Sequence, residues 1–328
     1  MQKICVLLPF HRDDELLQSA VNSIFDSREI DPDLLLIDDR KTKNELNLRV
    51  PHGLSYRLIE NTLNHGYGNA LRMSFNNLEH DYVALMNSDD LISPYRFIKQ
   101  IKSLNNADLS ITKMRRMSNG RIYRSLTGST NFNQYTTDFL IFGAYGADAT
   151  WTMRRNWWEK QTLDNRECLD WRIALKSFQS TKIAFVDEEL YFYRKHSKQL
   201  NYAKMSQEDL HAIYTDWNCF LMKKNFPSAS LEVFKFFAMP WMRSPIRNIE
   251  EILEWSEKYI LHAENFDKIT KNIFLKFLRR RFAVGITIPE LTVGERLKMI
   301  IHAKDQAIGL AINHGQNQVN NLQRYGKM

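Results

Sequence analysis

The chain has 328 residues, of which 44% are hydrophobic and 25% are charged, and its net charge of +7 lies mostly in the C-terminal third. No apolar run reaches the roughly 18 residues of a membrane span, the N-terminus lacks a signal-peptide layout, and no spacing typical of zinc-binding or nucleic-acid-binding motifs is present. We therefore expect a cytoplasmic protein with reduced thiols, at most peripheral on the inner face of a membrane, and no nucleic-acid partner.

The first hundred residues alternate short apolar runs with stretches of helical periodicity. Continuous apolar runs are typical of strands buried on both faces of a parallel sheet, whereas apolar residues at every third or fourth position indicate a helix. This alternation predicts an α/β fold. The predicted strands are 3–9, 34–37, 56–59 and 83–86, and the predicted helices are 15–25, one beginning near residue 70, and 94–104.

Polar residues follow three of these predicted strands. They are 9–12, 38–39 and 87–90. The carboxyl ends of parallel strands share one edge of a sheet, where open α/β folds bind ligands, so we expect a nucleotide site there. Gly66 and Gly68 would allow close backbone approach, and Arg12 or Arg72 would reach a phosphate. The alternative is a flexible glycine loop and a solvated helix face.

Asp89 and Asp90 stand side by side after the fourth predicted strand. Two neighbouring carboxylates raise each other's pKa unless a cation or a hydrogen-bonding ligand lies between them. Mg²⁺ and Mn²⁺ prefer carboxylate oxygens and often complete their coordination with substrate phosphates. The pair therefore indicates a metal site, and the alternative is a turn or N-cap before the next helix.

Residues 1 to about 105 resemble the donor half of a family 2 glycosyltransferase of the GT-A fold. The matching elements are Pro9-Phe10-His11-Arg12, Asn22-Ser23-Ile24, Asp38-Asp39 with Thr42, Asn64 and Gly66 with Arg72, and Asn87-Ser88-Asp89-Asp90 with Pro94. The resemblance implies a Rossmann-like mixed sheet flanked by helices, a UDP- or other nucleotide-diphospho-sugar donor, a divalent metal (Mn²⁺ or Mg²⁺), and transfer with inversion. It implies that the nucleotide sugar contacts Pro9, Phe10, His11, Arg12, Asp38, Asp39, Gly66, Arg72, Asn87 and Ser88.

Several positions depart from the family pattern. Asn87 replaces the first Asp of the family's Asp-x-Asp-Asp motif, and Arg40 and Lys41 replace its usual Gly and Ser. Aligned on the following proline, Asp89 is implied as the metal ligand with Asp90 beside it. These departures bear on which nucleotide base and which sugar the site recognises, and they leave the expected fold unchanged.

Residues 106–200 are expected to form the acceptor half of the same domain. We predict a strand at 108–112, an irregular stretch or hairpin around Asn119-Gly120, and a small-residue segment, 142–151, that is either a sugar contact or a tight turn. Glu167 to Trp171 resembles the family's acidic-aromatic motif, which implies Asp170 as general base with Glu167 in reserve. The alternative for Asp170 is a helix N-cap.

The segment 191–196 resembles the element that closes the catalytic domain in this family. The resemblance implies that His196 completes the metal shell or binds diphosphate, and Arg194 is either a phosphate ligand or an ion-pair partner of Asp187 or Glu188. A lone histidine also has a purely structural interpretation.

Residues 201–328 are predicted to form a mainly helical domain, and no family resemblance extends to them. The basic patch 276–282 suggests either peripheral contact with an anionic membrane or a solvated helix face in a homo-oligomer. The predicted helices are 205–222, 230–237, 246–262, 266–282 and 293–313.

Together these features predict an inverting, metal-dependent glycosyltransferase that acts on a glycan, lipid-linked or protein-linked acceptor. Two alternatives come from other classes. The chain could be a catalytically silent GT-A relative that binds a nucleotide or a glycan. It could also be a basic scaffold for a polyanion or a membrane, with binding that is sensitive to salt.

Overall fold

The chain is divided into two compact units. The computed structural model describes residues 3–12, 15–40, 46, 48–50, 55–61, 66–118, 121–125, 136–144, 146–164, 167–196, 205–239, 242, 245–285, 288 and 291–305. The first unit comprises residues 1–132 and 144–213, and the second comprises residues 133–143 and 214–328. The division into 1–105, 106–200 and 201–328 stays a prediction.

A nine-stranded mixed sheet, counted over the described residues, forms the centre of the first unit. Its strands are β1 (Ile4–Phe10), β2 (Asp33–Asp38), β3 (Tyr56–Glu60), β4 (Tyr82–Leu85), β5 (Leu91–Ile92), β6 (Leu109–Ser118), β7 (Arg121–Ser125), β8 (Trp151–Arg154) and β9 (Ile183–Arg194). Their order across the sheet is β3-β2-β1-β4-β8-β6-β9-β5, and β7 pairs with β6.

The strand directions determine which ends meet. β1 pairs in parallel with β2 and with β4, and β2 pairs in parallel with β3. The carboxyl ends of these four strands therefore lie along one edge of the sheet. β8 runs antiparallel to β4, so the residues that precede β8 reach the same edge.

Helices pack against the sheet through apolar stripes that the sequence predicts. The helix α1 (Glu15–Phe25) buries Leu17, Ala20, Val21 and Ile24, at helical spacing, in the same core as the strands β1 and β2. Burial of each such side chain contributes roughly 1.5–3 kcal/mol. The remaining helices of this region are α2 (Tyr67–Met73), α3 (Arg96–Ser103), α4 (Arg155–Trp158) and α5 (Leu169–Ser177). The helix α6 (Gln207–Lys223) begins in the first unit and ends in the second.

A buried polar network ties α3 to the middle of the sheet. The fully buried guanidinium of Arg96 donates to Gln100 Oε1 at 2.9 Å and to the carbonyls of Leu85 and Trp151 at 3.0 and 3.2 Å. Gln100 also donates to two carbonyls, of Ser110 and of Thr150, at 2.9 Å each. Because the bonds to the carbonyls of Leu85, Ser110 and Trp151 join α3 to β4, β6 and β8, the network fixes the position of α3 at the end of β4.

The second unit is helical, with α7 (Leu231–Ala238), α8 (Ile249–Ala263), α9 (Lys268–Gly285) and α10 (Val293–Asp305). Its interior is aromatic: Phe142 stacks on Phe277 with ring centroids 5.6 Å apart, and Phe237 meets Tyr259 edge to face at 5.0 Å. In the described part of the chain, no helix combines the length and the apolar character that crossing a bilayer requires.

The α/β sheet with a helical C-terminal region confirms the predicted fold, and β6 is longer than the predicted strand 108–112. β6 and β9 pair in parallel from Leu109 and Ile183 as far as Met117 and Arg194. β7 pairs antiparallel with β6, as in the hairpin alternative, although Asn119-Gly120 itself lies outside the described residues. The second half of β6 is polar and carries no strong strand signal of its own, because its strand conformation depends on the pairing with β9.

Candidate active site

The three predicted polar strand ends lie on one edge of the sheet. Phe10 and Asp38 are register partners at the ends of β1 and β2, and Met86 N–H donates to the Leu7 carbonyl at 3.1 Å as β4 ends. The loop 87–90 therefore starts beside the end of β1. This is the edge at which open α/β sheets bind ligands.

The loop 87–90 is folded around the buried carboxylate of Asp90. Asp90 Oδ2 accepts from the Tyr191 hydroxyl at 2.6 Å and from Asn87 Nδ2 at 3.2 Å, and Oδ1 accepts from the Arg194 N–H at 2.8 Å. The Tyr191 hydroxyl in turn accepts from the Asn87 N–H at 3.3 Å. Both oxygens of Asp90 are thus occupied inside the protein.

Burial, followed by the neighbouring charge of Asp89, raises the pKa of Asp90 to about 7, and the hydrogen bonds that it accepts oppose this shift. The buried Arg96 provides partial electrostatic compensation, since its guanidinium lies 5.1 Å from the Tyr191 ring centroid and interacts electrostatically with Asp90. These contacts give Asp90 and Asn87 a structural role, and the metal and nucleotide-sugar contacts that the family resemblance implies for them stay predictions.

Asp89 has a different environment from Asp90. Its Oδ2 lies 3.0 Å from His196 Nε2, and the two side chains are 28% and 18% exposed, so both can be reached from solvent. The main chain of Asp89 is held by Arg194, whose Nε donates to the Asp89 carbonyl and whose Nη2 donates to the Leu16 carbonyl at 2.8 Å. Arg194 therefore clamps the loop to α1 through backbone carbonyls, which neither interpretation of its sequence had specified.

Asp89 and His196 offer a carboxylate and an imidazole as metal ligands. No group of three or more metal-binding side chains occurs among the described residues. Within the same residues, the buried Nδ1 of His196 has no hydrogen-bond partner. One carboxylate and one histidine fit a Mn²⁺ or Mg²⁺ ion whose other ligands are substrate phosphates and water, and they do not fit an ion held by protein alone.

The first acidic strand end is held by an ion pair. Asp38 is buried, and Arg40 binds it in a bidentate manner through Nε at 3.0 Å and Nη2 at 2.9 Å, while the Arg40 N–H donates to Oδ1 at 2.9 Å. The guanidinium also lies 5.5 Å from the Phe10 ring centroid. Asp39 Oδ1 accepts from Asn61 Nδ2 at 2.7 Å. Arg40 therefore occupies the Asp38 carboxylate, and Asp39 is the more accessible of the two.

The other predicted nucleotide contacts differ in exposure. Gly66 has a φ of 81°, a conformation that favours glycine, directly before α2. Arg72 is exposed in the last turn of α2 rather than at its start. Pro9, Arg12 and Ser88 are half-buried, His11 is exposed, and Arg12 Nε lies 3.2 Å from His11 Nε2. Asn64 and Thr42 lie outside the described residues.

Asp170 lies in the first turn of α5, two residues after Cys168, which precedes the helix and has a left-handed φ of 55°. Burial, followed by the charge of Asp148, raises the pKa of Asp170, while the N–H of Trp171, which donates to its Oδ1 at 2.7 Å, opposes the shift. Burial likewise raises the pKa of Asp148, and a hydrogen bond from Tyr67 opposes that shift. Two carboxylates and a tyrosine hydroxyl therefore form one cluster.

Asp148 is the residue that sequence reasoning missed. It lies three residues before the start of β8, which pairs antiparallel with β4, so it reaches the edge where the loop 87–90 begins. The sequence pattern of the small-residue segment 142–151 predicts a sugar contact or a tight turn, and it assigns no role to the carboxylate of Asp148. By contrast, the reserve base Glu167 is exposed, and its neighbouring charge is that of Asp209.

Comparisons with known proteins agree with this geometry. Residues 5–165 match the sequence model of a family described as "Glycosyl transferase family 2". The structure is similar to S. aureus TarS 1-349 in complex with UDP-GlcNAc, with a TM-score of 0.59 and 14% identity over 96% of this chain and 92% of that chain. It is also similar to S. aureus TarS, with a TM-score of 0.54 and 13% identity over 94% of this chain and 54% of that chain. No curated protein sequence matches the chain.

The family match and the structural likeness both cover the sheet edge that carries Phe10, Asp38 and the loop 87–90, which is called the donor edge below. At these identities, the likeness to TarS shows the fold alone. The family match ends before Asp170 and His196, so the roles of these two residues stay predictions. The chain is a glycosyltransferase of the GT-A fold, and its residues 5–165 belong to glycosyl transferase family 2.

Proposed function

We propose that the chain transfers a sugar, with inversion, from a nucleotide-diphospho-sugar to a hydroxyl group of a glycan, lipid-linked or protein-linked acceptor. The observation that carries this proposal is the presence of a solvent-accessible Asp89–His196 pair at the carboxyl edge of the parallel strands, together with a half-buried Asp170 whose pKa is raised. TarS bound to UDP-GlcNAc supports a UDP-linked donor as the first to test.

A divalent metal fits Asp89 and His196, and when bound it would neutralise charge on the departing diphosphate. Arg194 keeps Asp89 in position through the main chain, and Asp90 keeps the loop folded through its three hydrogen bonds. These residues act by positioning, so the accessible carboxylate of Asp89 is left for the metal.

Asp170 is proposed as the general base that removes the proton of the acceptor hydroxyl. A base works best when its pKa lies near the working pH, and burial beside Asp148 shifts Asp170 in that direction. Each transfer produces one proton, which this carboxylate would accept while the acceptor oxygen bonds to the sugar carbon.

The Asp170→Asn variant tests the base. We expect donor binding within about twofold of the parent, because the substitution leaves the donor edge unchanged, and a fall in transfer of roughly 10²–10⁴-fold. Binding is measured as a shift of the unfolding midpoint with UDP, GDP, CDP or dTDP and their sugars, where ligand at a hundredfold Kd adds about 2.7 kcal/mol. Transfer that persists in this variant would contradict the assignment.

The Asp89→Ala variant tests the metal ligand. We expect loss of the Mn²⁺-dependent part of nucleotide binding, with little change in metal-free binding, measured by titration calorimetry. Asp31→Ala is the matched control because it removes the same charge from an exposed position. Equal Mn²⁺ dependence in the parent and in Asp89→Ala would reject this role.

The basic patch 276–282 is proposed as a helix face in a homo-oligomer rather than a membrane contact. Its apolar members face inward: Leu278 and Phe282 are fully buried, and Phe277 stacks on Phe142. A membrane-surface helix must expose such side chains to lipid. Sedimentation of the chain with and without anionic vesicles tests both the oligomer and the membrane contact.

A further inference from the structure

A cavity of about 330 Å³ lies in the first unit, away from the donor edge. Its lining includes Asp108, just before β6, and Arg154, the last residue of β8. Arg154 is the register partner of Tyr82, the first residue of β4, whereas the loop 87–90 follows the last residue of that strand. The cavity therefore opens at the opposite edge of the sheet.

The cavity wall carries excess positive charge. Arg154, Lys160 and Lys176 line it, and Asp108 is the one acidic residue among its described lining residues. Arg154 Nε donates to the Ala107 carbonyl at 3.0 Å and Nη2 to the Leu104 carbonyl at 2.7 Å. Carbonyl groups hold this guanidinium in place without neutralising it, so the wall attracts an anion.

One wall group also lacks a partner. The buried Oγ of Ser177 has no hydrogen bond within the described part of the chain, although Ser177 lines the cavity. Its carbonyl, by contrast, accepts from the side chains of Ser180 at 3.2 Å and Thr181 at 2.8 Å. A buried hydroxyl without a hydrogen bond is destabilising, so a ligand or water that bonds to it is stabilised.

We propose that this cavity is a second binding site, for a small phosphate-bearing ligand up to the size of a sugar phosphate. Three cations match a phosphate dianion better than a single carboxylate, and the cavity volume is within the range of small-molecule sites. The proposal does not depend on the identity of the donor, because the site is separate from the donor edge.

The test uses the 328-residue chain in EDTA, which removes divalent metal ions and so suppresses metal-dependent donor binding. Titration calorimetry with glucose 6-phosphate, inorganic phosphate and glucose separates the sources of affinity. We expect saturable binding of the phosphorylated probes, weaker at 200 mM salt than at 20 mM salt, and no binding of glucose. Inorganic phosphate that binds as well as glucose 6-phosphate supports the site and assigns the affinity to the phosphate group.

The Lys160→Glu variant localises the binding. Lys160 is exposed and has no ion pair with any described residue, so its reversal leaves the fold intact. We expect roughly tenfold weaker binding of glucose 6-phosphate, since an attraction becomes a repulsion. Lys223→Glu, the same change at an exposed position in the second unit, is the control and should bind within about twofold of the parent.

Three results would overturn the proposal. They are the absence of saturable binding, glucose binding as tightly as glucose 6-phosphate, and equal weakening by Lys160→Glu and Lys223→Glu. Ser177→Ala gives a further check on the cavity, because it removes only the unpartnered hydroxyl. It should weaken phosphate binding and leave the unfolding midpoint of the free protein unchanged or higher, because the substitution removes no hydrogen bond among the described residues.

Discussion

Removal of the Tyr191 hydroxyl tests how the loop 87–90 is held. In Tyr191→Phe, the Asp90 carboxylate loses a 2.6 Å hydrogen bond and the Asn87 N–H loses its acceptor at 3.3 Å, while the ring and its packing remain. A buried hydrogen bond to a charged group contributes about 1.5–3 kcal/mol and a neutral one about 1 kcal/mol, so the expected loss is about 2–4 kcal/mol. For a unit of about 200 residues this corresponds to a fall in Tm of roughly 4–16 °C.

Tyr193→Phe provides the matched control. Tyr193 lies two residues along the same strand and is half-buried, and no hydrogen bond of its hydroxyl occurs among the described residues. Differential scanning calorimetry should therefore show a change within about 0.5 kcal/mol for this variant. Equal midpoints for the two variants would refute the conclusion that the Tyr191 hydroxyl holds the loop.

Three further predictions concern the charged groups of the site. Asp148→Asn removes the negative charge that raises the pKa of Asp170, so the acid limb of the pH–rate profile should move to lower pH, and an unmoved limb would show that the two carboxylates are not coupled. Arg40→Ala leaves Asp38 buried without its ion-pair partner, and urea denaturation should show a loss of about 3–5 kcal/mol; a loss under 1 kcal/mol would mean that solvent replaces the pair. His196→Ala should raise the Mn²⁺ concentration needed for half-maximal transfer, whereas an unchanged requirement would leave His196 with a structural role alone.

The sequence predicts the first part of the fold well because its signals are local. The helix α1 begins and ends where predicted, and each of the first four strands lies within two residues of its prediction. Buried parallel strands need continuous apolar residues, and the polar residues that follow them mark the ligand edge directly.

The arrangement of the site was less predictable because it depends on pairings between distant residues. Asp89 and Asp90 are neighbours in sequence, and nothing local distinguishes the accessible carboxylate from the buried one. The difference comes from Tyr191 and the Arg194 N–H, more than 100 residues away. Asp148 was not predicted because it stands about 20 residues before Asp170 in the sequence, and only the fold brings the two carboxylates close enough to interact.

The long separation between the loop 87–90 and β9 has a consequence for how the protein is made. The strands β1 to β4 can associate as soon as the ribosome has released the first hundred residues, because their contacts are local. Asp89 and His196 are 107 residues apart, so the growing chain gains both residues of the proposed metal-binding pair only after β9 has emerged and added to β6. A nascent chain that stops before residue 190 would lack Tyr191 and Arg194, which hold Asp90 and the loop 87–90. The loop is therefore held in place only when the sheet is nearly complete.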